Sequence, residues 1–292
     1  MTTVETKSPN IDTLVEDIYG LFGTDKVEVS EEFLSKFSTE LTELVSQRFN
    51  REGERKNTLR MSNIGRPDRQ LWYDVNWTGE LEQLQPSTLI KFMYGDVLEH
   101  LMLLFARQAG HVVEFEQAEV ELEGIEGHPD AVIDGVVVDV KSASSYSFSK
   151  FENGTLLDDG NDPFGYLGQL AAYVEAINPD ADGAFLAVDK TLGKICLLKI
   201  PNEVLKQYAV RQRIEHIKEV VALPEPPPRC YEPKPEGKSG NFILATGCSY
   251  CNHKKHCWAD ANNGAGLREF YYSSGPKYFV HVEREPRVIE GF

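Results

Sequence analysis

The 292-residue chain is 41% hydrophobic and 26% charged, with a formal net charge of −16; these are ordinary globular proportions, and there is chain enough for one large domain with appendages. No apolar run approaches the roughly 20 residues of a membrane span, and the opening MTTVETKSPN lacks the basic and apolar regions of a signal peptide, so an intracellular, cytoplasmic protein is expected. The acidity argues against a uniformly basic nucleic-acid surface, which shifts attention to where the 30 Lys and Arg residues cluster.

Residues 1–10 are polar and expected to be disordered. Residues 11–22 and 31–49 carry helical apolar spacing, with Phe33, Phe37, Leu41, Leu44 and Val45 on one stripe of the second segment. Both read as a structural N-terminal cap. Seven basic residues then fall between positions 48 and 69: Arg48, Arg51, Arg55, Lys56, Arg60, Arg66 and Arg69, diluted by Glu52, Glu54 and Asp68. This stretch is either a solvated charged loop or a phosphate-gripping surface. Trp72 and Tyr73 behind it read as core.

Ser87 is placed to cap a helix running to about Gln108, with Gly110 beyond its end. Phe92, Gly95, Met102, Leu103 and Ala106 form its apolar stripe, and Glu99 interrupts that stripe, where a carboxylate is costly unless ion-paired or metal-bound. His100 falls off the stripe and reads as surface. Residues 112–122 read as one strand leading into a hairpin. Residues 142–162, rich in Ser, Gly, Asn and Asp, read as a long loop beside a site.

Residues 163–177 read as a helix on which Gln169 and Tyr173, four apart, share a face. Residues 184–188 and 194–200 are strand-like, and Cys196 in the second is an inert core cysteine. Residues 202–221 read as one amphipathic helix, followed by a proline-rich linker at 223–229. Beyond it stand Cys230 and the cluster Cys248, Cys251 and Cys257, written CSYCNHKKHC. Clustered cysteines in an intracellular chain point to metal rather than disulfides. Residues 270–272 and 277–282 read as a final hairpin. Strand–helix alternation through the middle indicates a mixed α/β fold.

The chain is organised around GHPDAVIDGVVVDVKS, residues 127–142. Asp134-Gly135 between two β-branched runs is a strong signal for a two-residue hairpin turn. Such a turn pairs Ile133 with Val136, Val132 with Val137, Ala131 with Val138 and Asp130 with Asp139. Alternation then puts Asp130, Asp139 and Lys141 on one face, with Ala131, Ile133, Val138 and Val140 on the other. Opposed carboxylates destabilise a strand pair, and a hard divalent ion with oxygen ligands relieves them.

Pro129-Asp130 followed by Asp139-Val140-Lys141 resembles the PD-(D/E)XK nuclease signature. With an acid on the preceding helix, a QxxxY pair and a distal cysteine cluster, the order resembles the RecB-like branch of that superfamily. Its nearest members in likeness are the CRISPR-associated adaptation exonuclease and related phage exonucleases. The resemblance spans roughly residues 62–258. It implies a restriction-endonuclease-like core, a central mixed sheet flanked by helices, at residues 62–222, with an N-terminal helical cap at 1–61 and a cysteine segment with a terminal hairpin at 223–292.

The resemblance further implies an Mg²⁺- or Mn²⁺-dependent deoxyribonuclease, an exonuclease before an endonuclease, acting in phage or mobile-element DNA processing, recombination or degradation. Glu99, Asp130 and Asp139, with the Val140 carbonyl, would hold one or two ions; Lys141 would act at the attacking water; Gln169 and Tyr173 would lie beside the site and contact DNA, as would Arg60, Arg66 and Arg69. Cys248, Cys251 and Cys257, with Cys230, His253 or His256 as the fourth ligand, would hold a 4Fe–4S cluster or Zn²⁺. The partner implied is DNA, single-stranded or at duplex ends, with room for an oligomer or a replication or recombination protein. A structure-specific endonuclease and a non-catalytic DNA-binding module with a structural metal are the competing readings.

Overall fold

In the computed structural model, residues 9–23, 27–49, 57–79 and 86–291 are described. Most of the expected N-terminal polar segment, and Arg51, Arg55 and Lys56 of the basic stretch, lie outside the described residues.

The first helices are α1 (Leu14–Gly20), α2 (Glu31–Phe49), α3 (Asp68–Asn76) and α4 (Pro86–Gln108). Strands β1 (Val113–Glu114), β2 (Val120–Leu122), β3 (Ile125–Gly127), β4 (Ala131–Ile133) and β5 (Val136–Ala143) follow. The single strand expected over 112–122 is two short strands: Phe115 and Gln117 take positive φ (54° and 48°), which turns the chain. β2 then leaves the main sheet and pairs with β3.

The Asp134-Gly135 hairpin forms with three of the four anticipated pairs, Ala131 with Val138, Val132 with Val137 and Ile133 with Val136, both turn residues having positive φ; the ladder stops at Ala131, so the expected Asp130–Asp139 pair is not part of it. Beyond β5 the expected long loop instead holds α5 (Ser145–Glu152), capped by the Ser144 hydroxyl accepting from the Ser147 N–H. Its inner face is only Phe148 and Phe151, an apolar signal too sparse to stand out among serines and asparagines.

Then come α6 (Tyr166–Ile177), β6 (Gly183–Asp189) and β7 (Ile195–Ile200). β6 runs parallel to β5 and completes a mixed sheet in the order β1-β4-β5-β6-β7. The helix expected over 202–221 is broken into α7 (Asn202–Leu205), a short 3-10 turn and α8 (Val210–Val221). Ala209 breaks it by adopting left-handed backbone (φ 43°).

Both faces of the sheet are covered, because β5 and β6 are apolar on both sides. Ala131, Ile133, Val138, Val140, Ala184 and Leu186 pack against Leu14, Ile18, Met102, Leu103 and Ala106 of α1 and α4. Val132, Val137, Phe185 and Ala187 pack against Phe148, Leu170, Tyr173 and Ile214 of α5, α6 and α8. A second sheet, β12-β10-β11-β9-β8, is built wholly from the C-terminal part of the chain: β8 (Lys234–Pro235), β9 (Phe242–Ile243), β10 (Arg268–Tyr272), β11 (Gly275–His281) and β12 (Ile289–Glu290). The anticipated final hairpin is β10–β11; the other three strands are two residues each, too short for any pattern to announce. No helix among the described residues is long and apolar enough to cross a membrane.

Candidate active site

Asp139 and Lys141 sit two apart on β5 and therefore on one face of the sheet. β4 is only three residues long and begins at Ala131, just after Asp130, so the second half of β5 has a ladder partner only on the β6 side. The Asp130 side chain fills part of that open edge, its Oδ2 accepting from the Val140 N–H at 2.7 Å. Asp139 is 1% exposed; its Oδ1 accepts from Gln169 Nε2 of α6 at 3.0 Å, and its Oδ2 meets the Lys141 ammonium. Glu99, from α4, accepts from Gln117 Nε2 at 2.7 Å.

Burial raises the Glu99 carboxyl to about 7; Gln117 opposes the rise, and the charges of Asp139 and Asp96 add to it. Burial also pushes Asp130 well above the usual carboxylate range, helped by Asp139 and Glu99 and opposed by Lys141. Asp139 is raised by burial against the pull of Lys141, and Asp162 adds to the rise. Burial acts to lower the Lys141 ammonium, but the charges of Asp139 and Asp130 outweigh it and hold the group above the ordinary lysine range. Three mutually repelling carboxyls thus share one cation in a desolvated pocket.

Tyr173 is buried against this group, its phenol raised by burial and then by Asp139 and Asp130. Gly127 must lack a side chain there, since a Cβ would lie 2.8 Å from Tyr173 Cε1. Two contributors were not anticipated from sequence. Gln117 comes from the positive-φ turn that interrupts the expected strand, and only that turn aims its amide at Glu99. Tyr166, in the first turn of α6, sets its ring face 4.6 Å from Lys141 Nζ, a cation–π contact; its place three residues before Gln169, on the same helical face, was the available signal.

The donor set suits a hard divalent ion, because repelling anionic oxygens in a dry pocket are what such an ion neutralises. Among the described residues, no three His, Cys, Asp or Glu side chains close into a metal-ligand set. Of the three acids, Asp130 is turned onto Val140 N–H, Asp139 onto Gln169 and Lys141, and Glu99 onto Gln117.

The basic residues assigned to nucleic acid diverge. Arg60 is exposed. Arg66 lines a cavity of about 610 Å³ with Asp158, Asp162, Arg213 and Cys230, and it lies 3.5 Å from Asp74. Arg69 is half-buried, its Nε donating to Cys257 Sγ at 3.1 Å. Arg48, counted in the same basic stretch, is committed to Asp96.

Cys230, Cys248, Cys251 and Cys257 are half-buried free thiols that act on one another electrostatically. Burial, then Cys230, Cys251 and Cys257, lifts Cys248 to about 12. Cys251 rises to about 11 by burial, with Cys257 and Cys230 among the contributors. The four are soft donors of the kind a thiophilic metal takes as thiolates, although no three of them close into a ligand set among the described residues. The two histidines are otherwise engaged: His253 Nε2 is 2.9 Å from Asp74 Oδ1, and the His256 ring lies 3.9 Å from that of Trp77. Cys196 stands apart in β7, its thiol raised to about 12 by burial.

No family model matches the sequence, and no curated protein matches it. Among solved structures, the chain is similar to an alkaline exonuclease of Laribacter hongkongensis, with 13% identity and a TM-score of 0.40 over 57% of this chain and 91% of that one. It is also similar to a phage-related exonuclease of Haemophilus somnus 129PT, with 14% identity and a TM-score of 0.39 over 56% of this chain and 93% of that one.

Proposed function

We propose that this chain is a divalent-metal-dependent nuclease that hydrolyses DNA phosphodiester bonds, acting from strand ends. The observation that carries the reading is the grouping of Asp130, Asp139 and Glu99, all raised above their ordinary range, around the single ammonium of Lys141. Structural ion pairs alone do not call for three acids around one cation. Asp130, Asp139 and Glu99 are the residues to hold Mg²⁺ or Mn²⁺, with the Val140 carbonyl beside them. When bound, such an ion lowers the pKa of water and offsets charge on the phosphate.

The chain's own groups do the rest. Lys141 is held in its charged form, so it serves as a donor to the attacked phosphate or its water rather than as a base. Gln169 fixes the Asp139 carboxylate by its amide, and Tyr166 holds the ammonium of Lys141 from the ring side. The preference for strand ends rests on the Gln169 and Tyr173 pair, and a phage or mobile-element role is part of the same reading. The cysteine group is read as a structural 4Fe–4S or zinc site with Cys230 as the fourth ligand, since His253 and His256 have other partners.

The test is degradation of 5′- and 3′-labelled single and double strands, linear and circular, with Mg²⁺, with Mn²⁺ and with chelator. Metal-dependent release of short products from linear DNA alone is expected. Cleavage of closed circles would favour the endonuclease, and inert DNA under all conditions would favour a binding module. Lys141→Ala is expected to bind DNA and fail to cut it; normal turnover by that variant would remove Lys141 from the mechanism.

A further inference from the structure

Helix α3 presents Arg69, Tyr73 and Asp74 to the cysteine segment, and each is engaged. Arg69 Nε donates to Cys257 Sγ at 3.1 Å. The same guanidinium donates to the Pro227 carbonyl of the linker and lies 3.3 Å from the Tyr73 hydroxyl. Tyr73, one turn on, stacks on His253 with ring centroids 5.3 Å apart and planes 21° from parallel. Asp74 takes His253 Nε2 at 2.9 Å.

Other residues of α3 are fastened to α8 and to the start of the linker. Asp68 binds Arg213 and His216 of α8 at 2.5 and 2.6 Å, and Trp72 Nε1 donates to the Leu223 carbonyl at 2.9 Å. One short helix is therefore anchored both to the nuclease core and to the cysteines. The Arg69 side chain reaches Cys257 Sγ, and the backbone N–H groups of Arg69 and Gln70 hydrogen-bond the Cys230 thiol.

We infer that Arg69 is a positioning residue for the cysteine-held metal, its guanidinium giving a charge-assisted N–H···S bond to Cys257 and pinning that ligand to α3. The inference rests on the reading of the four cysteines as a metal site. A metal-bound cysteine is a thiolate, and a site of three or four thiolates carries negative charge that burial makes expensive. Arginine keeps its proton under all ordinary conditions and has no lone pair with which to compete for the metal. It can thus lower the charge of the site without entering it, as outer partners of metal ligands do. Its three nitrogens point to Cys257, Pro227 and Tyr73.

The experiment uses the full-length chain purified without oxygen, as wild type, Arg69→Met and Arg69→Lys. Arg69→Met keeps length and loses every donor; Arg69→Lys keeps charge and loses the fork. Three quantities are read: iron and zinc per chain, the rate of metal release to a chelator, and the thiolate-to-metal band of protein produced with Co²⁺. Arg69→Met is expected to release metal on the order of tenfold faster and to shift the cobalt band, with Arg69→Lys between it and wild type.

Wild-type release and an unshifted band in Arg69→Met would overturn the inference, and so would a variant that keeps its metal but loses DNA binding. A wild-type chain that holds neither iron, zinc nor cobalt would remove the cysteine site itself, a failure distinguishable from that of Arg69 alone. None of these readouts depends on nuclease activity.

Discussion

At the residue scale, Asp130 and Asp139 illustrate a conflict between stability and chemistry. Each is desolvated, each raises the other's pKa or shares a cation with it, and Lys141 balances only one charge. Replacing Asp130 by Asn keeps an oxygen to accept from Val140 N–H and removes a group whose ionisation burial, Asp139 and Glu99 all oppose. Asp130→Asn is therefore expected to raise the unfolding free energy by about 1–2 kcal/mol at pH 8 in chelator, while abolishing Mg²⁺-dependent cleavage. Urea unfolding alongside the nuclease assay checks both; a destabilised variant would mean that the carboxylate is needed for folding. Asp130, Asp139 and Lys141 were legible in the sequence because a two-residue turn fixes strand register, and register fixes which side chains share a face. Gln117 was not, since its role depends on a left-handed turn at a non-glycine residue that no local pattern announces.

At the scale of elements, the start of α6 decides where Gln169 and Tyr166 stand. Gly165 precedes the helix with φ 74°, and Asp162 caps it, its carboxylate accepting from the Tyr166 and Leu167 N–H groups at 2.9 Å each. The backbone at Gly65 crosses here so closely that a Cβ on either Gly65 or Gly165 would overlap the other's carbonyl, and a Cβ on Gly168 would lie 2.7 Å from Gly65 Cα. Gly160 also has positive φ (78°) but open space around it. Gly160→Ala is expected to cost about 1–2 kcal/mol, the left-handed penalty alone. Gly165→Ala adds a backbone clash and is expected to cost more than about 3 kcal/mol, or to abolish folding. Equal losses for the two variants in chemical unfolding would refute the crossing. The helices and strands of the sheet were readable from sequence because their apolar periodicity is long. The break at Ala209 was not, because residues 202–221 keep helical spacing across it and no glycine or proline marks the position; nor was α5, whose two phenylalanines are outnumbered by polar neighbours.

At the scale of the whole molecule, the buried acids link folding to pH and to metal. Glu99 rises from 4.5 to about 7, so between those values the folded chain holds a proton that the unfolded chain has released. Stability from this group is complete below about pH 4.5 and is lost as pH climbs through 7, the opposite of the usual carboxylate. The rise corresponds to about 3 kcal/mol as a ceiling. Asp130 and Asp139 shift in the same direction and steepen the loss. In chelator, the melting temperature is therefore expected to fall between pH 5 and pH 8, and Glu99→Gln, which cannot ionise, is expected to flatten that fall. On the proposed function, a divalent ion held by these carboxylates would bind the folded state alone and stabilise it by mass action. Adding Mg²⁺ should accordingly raise the melting temperature more at pH 8, above the Glu99 value, than at pH 5, below it. Thermal melts of wild type and Glu99→Gln across this range, with and without Mg²⁺, decide the matter: a wild-type melting temperature that is level or rising from pH 5 to 8 in chelator, or a Mg²⁺ effect larger at pH 5 than at pH 8, would show that the three acids do not share a desolvated pocket.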